Sequence, residues 1–243
     1  PHRVLAESAG GRLAAAEQLR VTAFSRQTVV TDPTKGVNAY TRWSLFPPAK
    51  TRYRSMTLSV TYQCPDSLHC GEWDYIDCLY LRRVGHAATP SKDVELARLI
   101  SPYGWRFTPS WKFTWRVDVT DFSFMLHDSV ELEFRHSGYE SNTDRGWMVT
   151  VEFTATEGRP PMECLGMEKL WEGSFPYGDT LKSIEDFLPP IPVVNRTGAA
   201  FARLRILQTG HGMDDQENCA EFCGKYRRVY FDSTLVEEKP IWR

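Results

Sequence analysis

The chain has 243 residues, enough for one large or two modest domains, and 42% hydrophobic with 25% charged residues lies near globular averages, which excludes general disorder. Its 29 Lys and Arg nearly balance 31 Asp and Glu, for a net charge of −2, which argues against a nucleic-acid partner and a polybasic membrane patch. No apolar run approaches the ~20 residues that span a bilayer, and 13% aromatics with 16 Gly and 15 Pro favour many short strands over long helices.

Along the chain, residues 1–18 are rich in Ala, Gly, Arg and Glu and read as an N-terminal arm. The chain opens at Pro1 with neither Met nor an apolar leader, as a processed or partial chain does. Period-two alternation then sets in. In residues 54–62, Met56, Leu58 and Val60 point one way and polar residues the other, the pattern of a half-buried antiparallel strand. Residues 39–46, 73–82, 95–100, 111–119, 129–135 and 147–156 read as further strands, separated by turns such as Phe46-Pro47-Pro48 and Thr108-Pro109-Ser110. That count, with no helix long enough to cross over, predicts an all-β sandwich or jelly roll over residues 19–160. The turn Gly158-Arg159-Pro160-Pro161 marks the expected domain boundary. Beyond it, 164–171, 180–187, 199–207 and 225–231 read as strands of a second β domain, 161–243. Four strands are few for a closed sandwich, and the chain stops on the apolar Ile241-Trp242-Arg243. The expectation is an incomplete second jelly roll, completed by a further segment or a second chain.

Six cysteines form two close pairs, Cys64 with Cys70 and Cys219 with Cys223, leaving Cys78 and Cys164 as a long-range third pair. Zinc sites join pairs spaced C-x2-4-C, and Cys64-x5-Cys70 is too wide, so disulfides and a secreted or periplasmic location are expected, with no metal.

Three segments carry candidate chemistry. A Cys64–Cys70 bridge pins the loop that delivers Glu72, Trp73 and Asp74 to the start of a strand. Period two then sets Glu72 and Asp74 on one face with Ile76, Cys78 and Tyr80, and Trp73 with Tyr75 on the other. A carboxylate sharing a face with apolar residues is suited to proton transfer, although an aspartate here can equally cap a turn. The second segment is Cys219-Ala220-Glu221-Phe222-Cys223, where a tight bridge holds Glu221 rigidly. The nearby Asp214-Asp215-x-Glu217 run reads as a solvated acidic loop without a calcium-loop pattern. The third runs from Glu131 to Glu140. His136 and Ser137 are adjacent, so in a strand they face opposite ways and cannot form a nucleophile–base pair, and no G-x-S-x-G, P-loop or dinucleotide fingerprint occurs.

Cys70-Gly71-Glu72-Trp73-Asp74, Leu99-Ile100-Ser101-Pro102-Tyr103, Val117-Asp118-Val119-Thr120-Asp121-Phe122 and Cys219-Ala220-Glu221-Phe222-Cys223, in that order, resemble motifs of the peptide-N-glycosidase F family. The resemblance implies two adjacent antiparallel jelly-roll sandwiches with a glycan cleft between them. It also implies cofactor-free hydrolysis of the glycosylated asparagine side-chain amide. It maps the family's essential aspartate onto Asp74 and its loop glutamate onto Glu221. The third acidic position falls on Ser137 in a rigid alignment, and on Glu140 if a three-residue insertion is allowed; Glu140 is preferred. Glu72, Trp73, Tyr75, Ser137, Tyr139 and His211 are the expected contacts to an N-glycosylated protein or peptide, with Tyr75 standing where a family member has arginine. The alternative expectation is a noncatalytic glycan- or protein-binding jelly roll.

Overall fold

A computed structural model describes residues 18–83, 93–175, 181–194, 198–210 and 224–240. In chain order its strands are β1 (Gln18–Val30), β2 (Ala39–Leu45), β3 (Tyr53–Gln63), β4 (His69–Cys70), β5 (Ile76–Leu81), β6 (Val94–Ile100), β7 (Lys112–Asp118), β8 (Ser129–His136) and β9 (Arg145–Glu157), then a helical turn α1 (Ile184–Phe187), β10 (Tyr226–Phe231) and β11 (Thr234–Pro240).

The strands form two main sheets and a hairpin. The first sheet runs β1-β9-β3-β7, with β4 alongside β9; the second runs β2-β8-β5-β6; β10 pairs with β11. Every ladder is antiparallel except β4 with β9. The alternation of β3 sets the core face: Met56, Leu58, Val60 and Tyr62 are all buried. Leu58 lies in register between Phe153 of β9 and Val117 of β7. From the facing sheet come Leu79, Leu96, Leu132 and Phe134, joined with Phe24, Val151 and Trp147 into one core. The Phe24 and Phe134 rings meet across the sandwich at 6.4 Å. Each fully buried Leu, Val or Phe contributes about 2 kcal/mol, so this interdigitation is the main source of stability.

All seven strand segments predicted between 39 and 156 contain an observed strand. The longest edge strand, β1, was not expected. Its pairing with β9 shifts register between Thr22 and Phe24 and again between Phe24 and Gln27, and Arg26 sits at φ 49° with its N–H donating to Thr150 Oγ1 at 3.1 Å. Such bulges break period two, so the sequence shows no clean alternation there.

After β9 the reading departs from the structure. Residues 164–171 and 199–207 form no strand. The first of these regions leads into side-chain bonds on the outer face of the second sheet: Lys169 Nζ donates to the Asp93 carbonyl at 3.0 Å, and the Tyr80 hydroxyl donates to Glu172 Oε1 at 3.1 Å. That cover explains why β5 is buried on both faces, including Cys78 and Tyr80, instead of alternating. Within 180–187 the described residues hold α1, whose capping box pairs Ser183 with Asp186. Residues 225–231 do contain β10, and β11 returns through Asp232 and Ser233, both at positive φ, the two-residue turn that matches strand twist.

Candidate functional site

The β4–β5 loop is built outward from one buried indole. Trp147 of β9 is fully buried, and Gly71 and Gly104 lie directly against it. The Gly71 N–H donates to the Gly146 carbonyl and the Gly104 N–H to the Gly71 carbonyl, each at 2.9 Å. A Cβ on Gly71 would lie 2.2 Å from Trp147 Nε1, so no side chain fits without moving the ring. Gly71→Ala is therefore expected to cost about 1–3 kcal/mol by overpacking, read as a lower urea midpoint; an unchanged midpoint would refute the close fit.

The predicted Cys64–Cys70 bridge is present, with Cα atoms 4.7 Å apart. Arg26 adds two hydrogen bonds to Asp66, at 2.8 and 2.9 Å, and Arg145 spans Glu72, at 3.2 Å, and the Cys70 carbonyl, at 3.1 Å. A loop this short gives a cross-link worth about 2 kcal/mol in the chain-entropy account, so Cys64→Ser with Cys70→Ser should lower the unfolding midpoint accordingly, and equal midpoints with and without reductant would contradict it. The expected Cys78–Cys164 bridge does not form: both are free thiols. Burial on the covered face of β5 pushes the Cys78 thiol up to about 12, while the Cys164 thiol donates to the Gly166 carbonyl.

Residues 72–75 do not alternate as a strand, because β5 begins only at Ile76. Ser101 replaces the ladder there. Its Oγ accepts the Tyr75 N–H at 2.9 Å and donates to the Trp73 carbonyl at 3.2 Å, and its own N–H donates to the Tyr75 carbonyl at 2.8 Å. This clamp sends Trp73 outward, 44% exposed and edge-on to Tyr103 at 6.3 Å, and turns both Asp74 and Tyr75 inward, at 6% and 0% exposure. The expected pairing of Trp73 with Tyr75 on one face is thereby corrected, since Trp73 is exposed and Tyr75 buried.

The end of β8 meets this loop. Ser137 Oγ accepts the Ile76 N–H at 2.8 Å and the Ser137 N–H donates to the Ile76 carbonyl at 3.0 Å, so this serine splices β8 to β5. Gly138 packs so closely on the Thr31 backbone that a Cβ would fall 2.5 Å from its carbonyl oxygen. The chain then turns, with Tyr139 exposed and the Glu140 N–H donating to the Thr31 carbonyl at 3.2 Å. The Tyr75 hydroxyl donates to the Glu140 carboxylate. Its ring lies between His136, at 5.0 Å, and Tyr139, at 5.5 Å. Burial, and after it the Glu140 hydrogen bond and charge, raise the Tyr75 phenol well above its ordinary range, so it stays protonated as a donor. Tyr75 thus stands behind the surface, its side chain fully buried.

Of the predicted site residues, the structure brings together Asp74, Tyr75, Ser137, Tyr139 and Glu140, with Trp73 and Glu72 on the same loop. Glu221, His211, Cys219 and Cys223 lie outside the described residues. One group was overlooked. Asp77 and His136 face each other across β5 and β8, both fully buried in side chain; Asp77 accepts from His136 Nδ1 at 2.6 Å and from the Tyr62 hydroxyl at 2.7 Å. His136 Nε2 is buried without a partner among the described residues. The signal was present in the sequence: extending the inward face of β5 back from Leu79 lands on Asp77, a carboxylate aimed at the core.

No protein-family profile matches the chain, and no curated protein does. Solved structures do. A recombinant peptide:N-glycanase F (PNGase F) aligns over 92% of this chain and 71% of its own at 17% identity and a TM-score of 0.60. A peptide-N(4)-(N-acetyl-β-D-glucosaminyl)asparagine amidase aligns over 93% and 72% at 16% identity and a TM-score of 0.59. Against the PNGase F described as a glycosylasparaginase from Flavobacterium meningosepticum, the match spans 60% of this chain and 43% of that one, at 20% identity and a TM-score of 0.45. The all-β architecture of opposed antiparallel sheets, carried through both of the longer alignments, is the jelly-roll fold of PNGase F.

Proposed function

We propose that this protein hydrolyses the side-chain amide of glycosylated asparagine, releasing N-linked glycans from proteins or peptides. The observation that carries the reading is the juxtaposition at one edge of the sandwich: a 6% exposed Asp74, between the outward Trp73 and a tyrosine bonded to the Glu140 carboxylate. Amide hydrolysis needs an activated water, a stabilised oxyanion and a proton for a poor amine leaving group. In this reading Asp74 takes a proton from water as its oxygen attacks the amide carbon. The C–N bond then breaks, the amine departs with a proton as glycosylamine, and aspartate remains. In the same reading Glu221 holds the substrate or the water, and Glu140 assists. Trp73, Tyr103 and Tyr139 offer exposed rings to sugar faces. Residues 161–243 belong, in the same reading, to a second β domain that closes the cleft. The Cys64–Cys70 bridge suits action outside the cytosol, and among the described residues no helix is long and apolar enough to cross a membrane.

The direct test is incubation with a denatured N-glycoprotein, reading free glycan and conversion of the linked asparagine to aspartate by peptide mass. Both are expected. Retained glycan with measurable glycan binding would instead identify a noncatalytic binding jelly roll.

A further inference from the structure

Tyr75 follows Asp74 directly, and constraints on its backbone, ring and hydroxyl converge on it. Its backbone is clamped on both sides by Ser101. Its ring is packed between His136 and Tyr139. His136 is itself anchored through Asp77 to Tyr62 in the middle of β3, so the surface behind the ring is rigid. The hydroxyl ends on Glu140, whose backbone N–H is fixed to Thr31. A buried phenol has a single proton to donate, and here it goes to a carboxylate that is only half-buried.

We propose that Tyr75 is a positioning residue for Glu140: it locks one carboxylate oxygen from behind, so that the other is presented in a single orientation toward the ligand bound at Asp74. Because Asp74 lies between the Trp73 carbonyl and the Tyr75 N–H, both held by Ser101, the same segment fixes the relative placement of the two carboxylates. A carboxylate on a loop otherwise samples several rotamers, and a charge-assisted hydrogen bond from a rigid donor removes that freedom before substrate arrives. The role rests on the amidase reading for its catalytic consequence, whereas the lock itself is a property of the free protein.

Tyr75→Phe is the informative substitution, since it keeps the ring between its neighbours and deletes only the hydroxyl. It is compared with Glu140→Ala, which removes the acceptor, and with the double variant, in urea unfolding and in glycan release from a glycopeptide. If the lock exists, the two stability losses are non-additive, with the double variant unfolding near the midpoint of the weaker single variant. In turnover, Tyr75→Phe is expected to lower kcat about tenfold with KM within about twofold, and to cause no further loss in the Glu140→Ala background. Additive stability losses overturn the proposal whether or not the protein releases glycans, and so does an equal kcat loss from Tyr75→Phe in both backgrounds. Coupled stability in a protein that releases no glycan leaves the lock standing and overturns the amidase reading.

Discussion

Asp74→Asn is expected to lower glycan release by about 10²–10⁴-fold, the loss that follows removal of a positioned general base. The substitution is nearly isosteric and leaves the Ser101 clamp on Trp73 and Tyr75 untouched, because every bond of that clamp uses backbone atoms of the loop. KM should stay close to the wild-type value, since the neutral amide fills the same space but cannot accept a proton from water. Steady-state release from a glycopeptide, followed by liquid chromatography, measures both constants. Equal kcat in the two proteins would remove Asp74 from the chemistry. A large stability loss instead would make it a structural carboxylate.

The largest effect on stability is expected at Asp77. Its carboxylate is fully buried between two donors, and Asp77→Ala leaves both the Tyr62 hydroxyl and His136 Nδ1 without that acceptor in the core. Each orphaned donor costs about 1–3 kcal/mol, for a total loss of about 3–5 kcal/mol including the vacated volume. A loss of that size is a substantial fraction of the stability of a typical domain. Asp77→Asn keeps one acceptor oxygen and should lose roughly half as much. Urea unfolding followed by tryptophan fluorescence reports both, with Trp147 edge-on to Tyr62 at 5.9 Å as a probe within the affected core. A loss under about 1 kcal/mol for Asp77→Ala would mean that water replaces the missing oxygen, and that the buried trio contributes little.

The two predictions fall on residues of different legibility. Asp74 stands out in the sequence because it sits beside a short cysteine loop and an aromatic residue, and because the motif around it resembles a known family. Asp77 carries no motif. Only strand alternation marks it, and the boundary of β5 has to be right before that alternation can be used. Reading the strand from residue 73 rather than Ile76 leaves the later faces intact but misassigns the loop, where hydrogen bonds from Ser101 decide the directions of the side chains.

By itself the sequence determined the all-β class, the core face of β3, the strands between residues 39 and 156 and the Cys64–Cys70 bridge, because period-two burial and a short cross-linked loop are local properties. The tertiary structure decided the rest. Bulges hid β1, and side-chain contacts took up the region after β9 that alternation had read as strand. The free state of Cys78 and Cys164 depends on where two distant segments come to lie. So does the meeting of Tyr75 with Glu140, 65 positions apart in the chain. Such pairings are set by how sheets stack and loops cross, and no local pattern of residues encodes them.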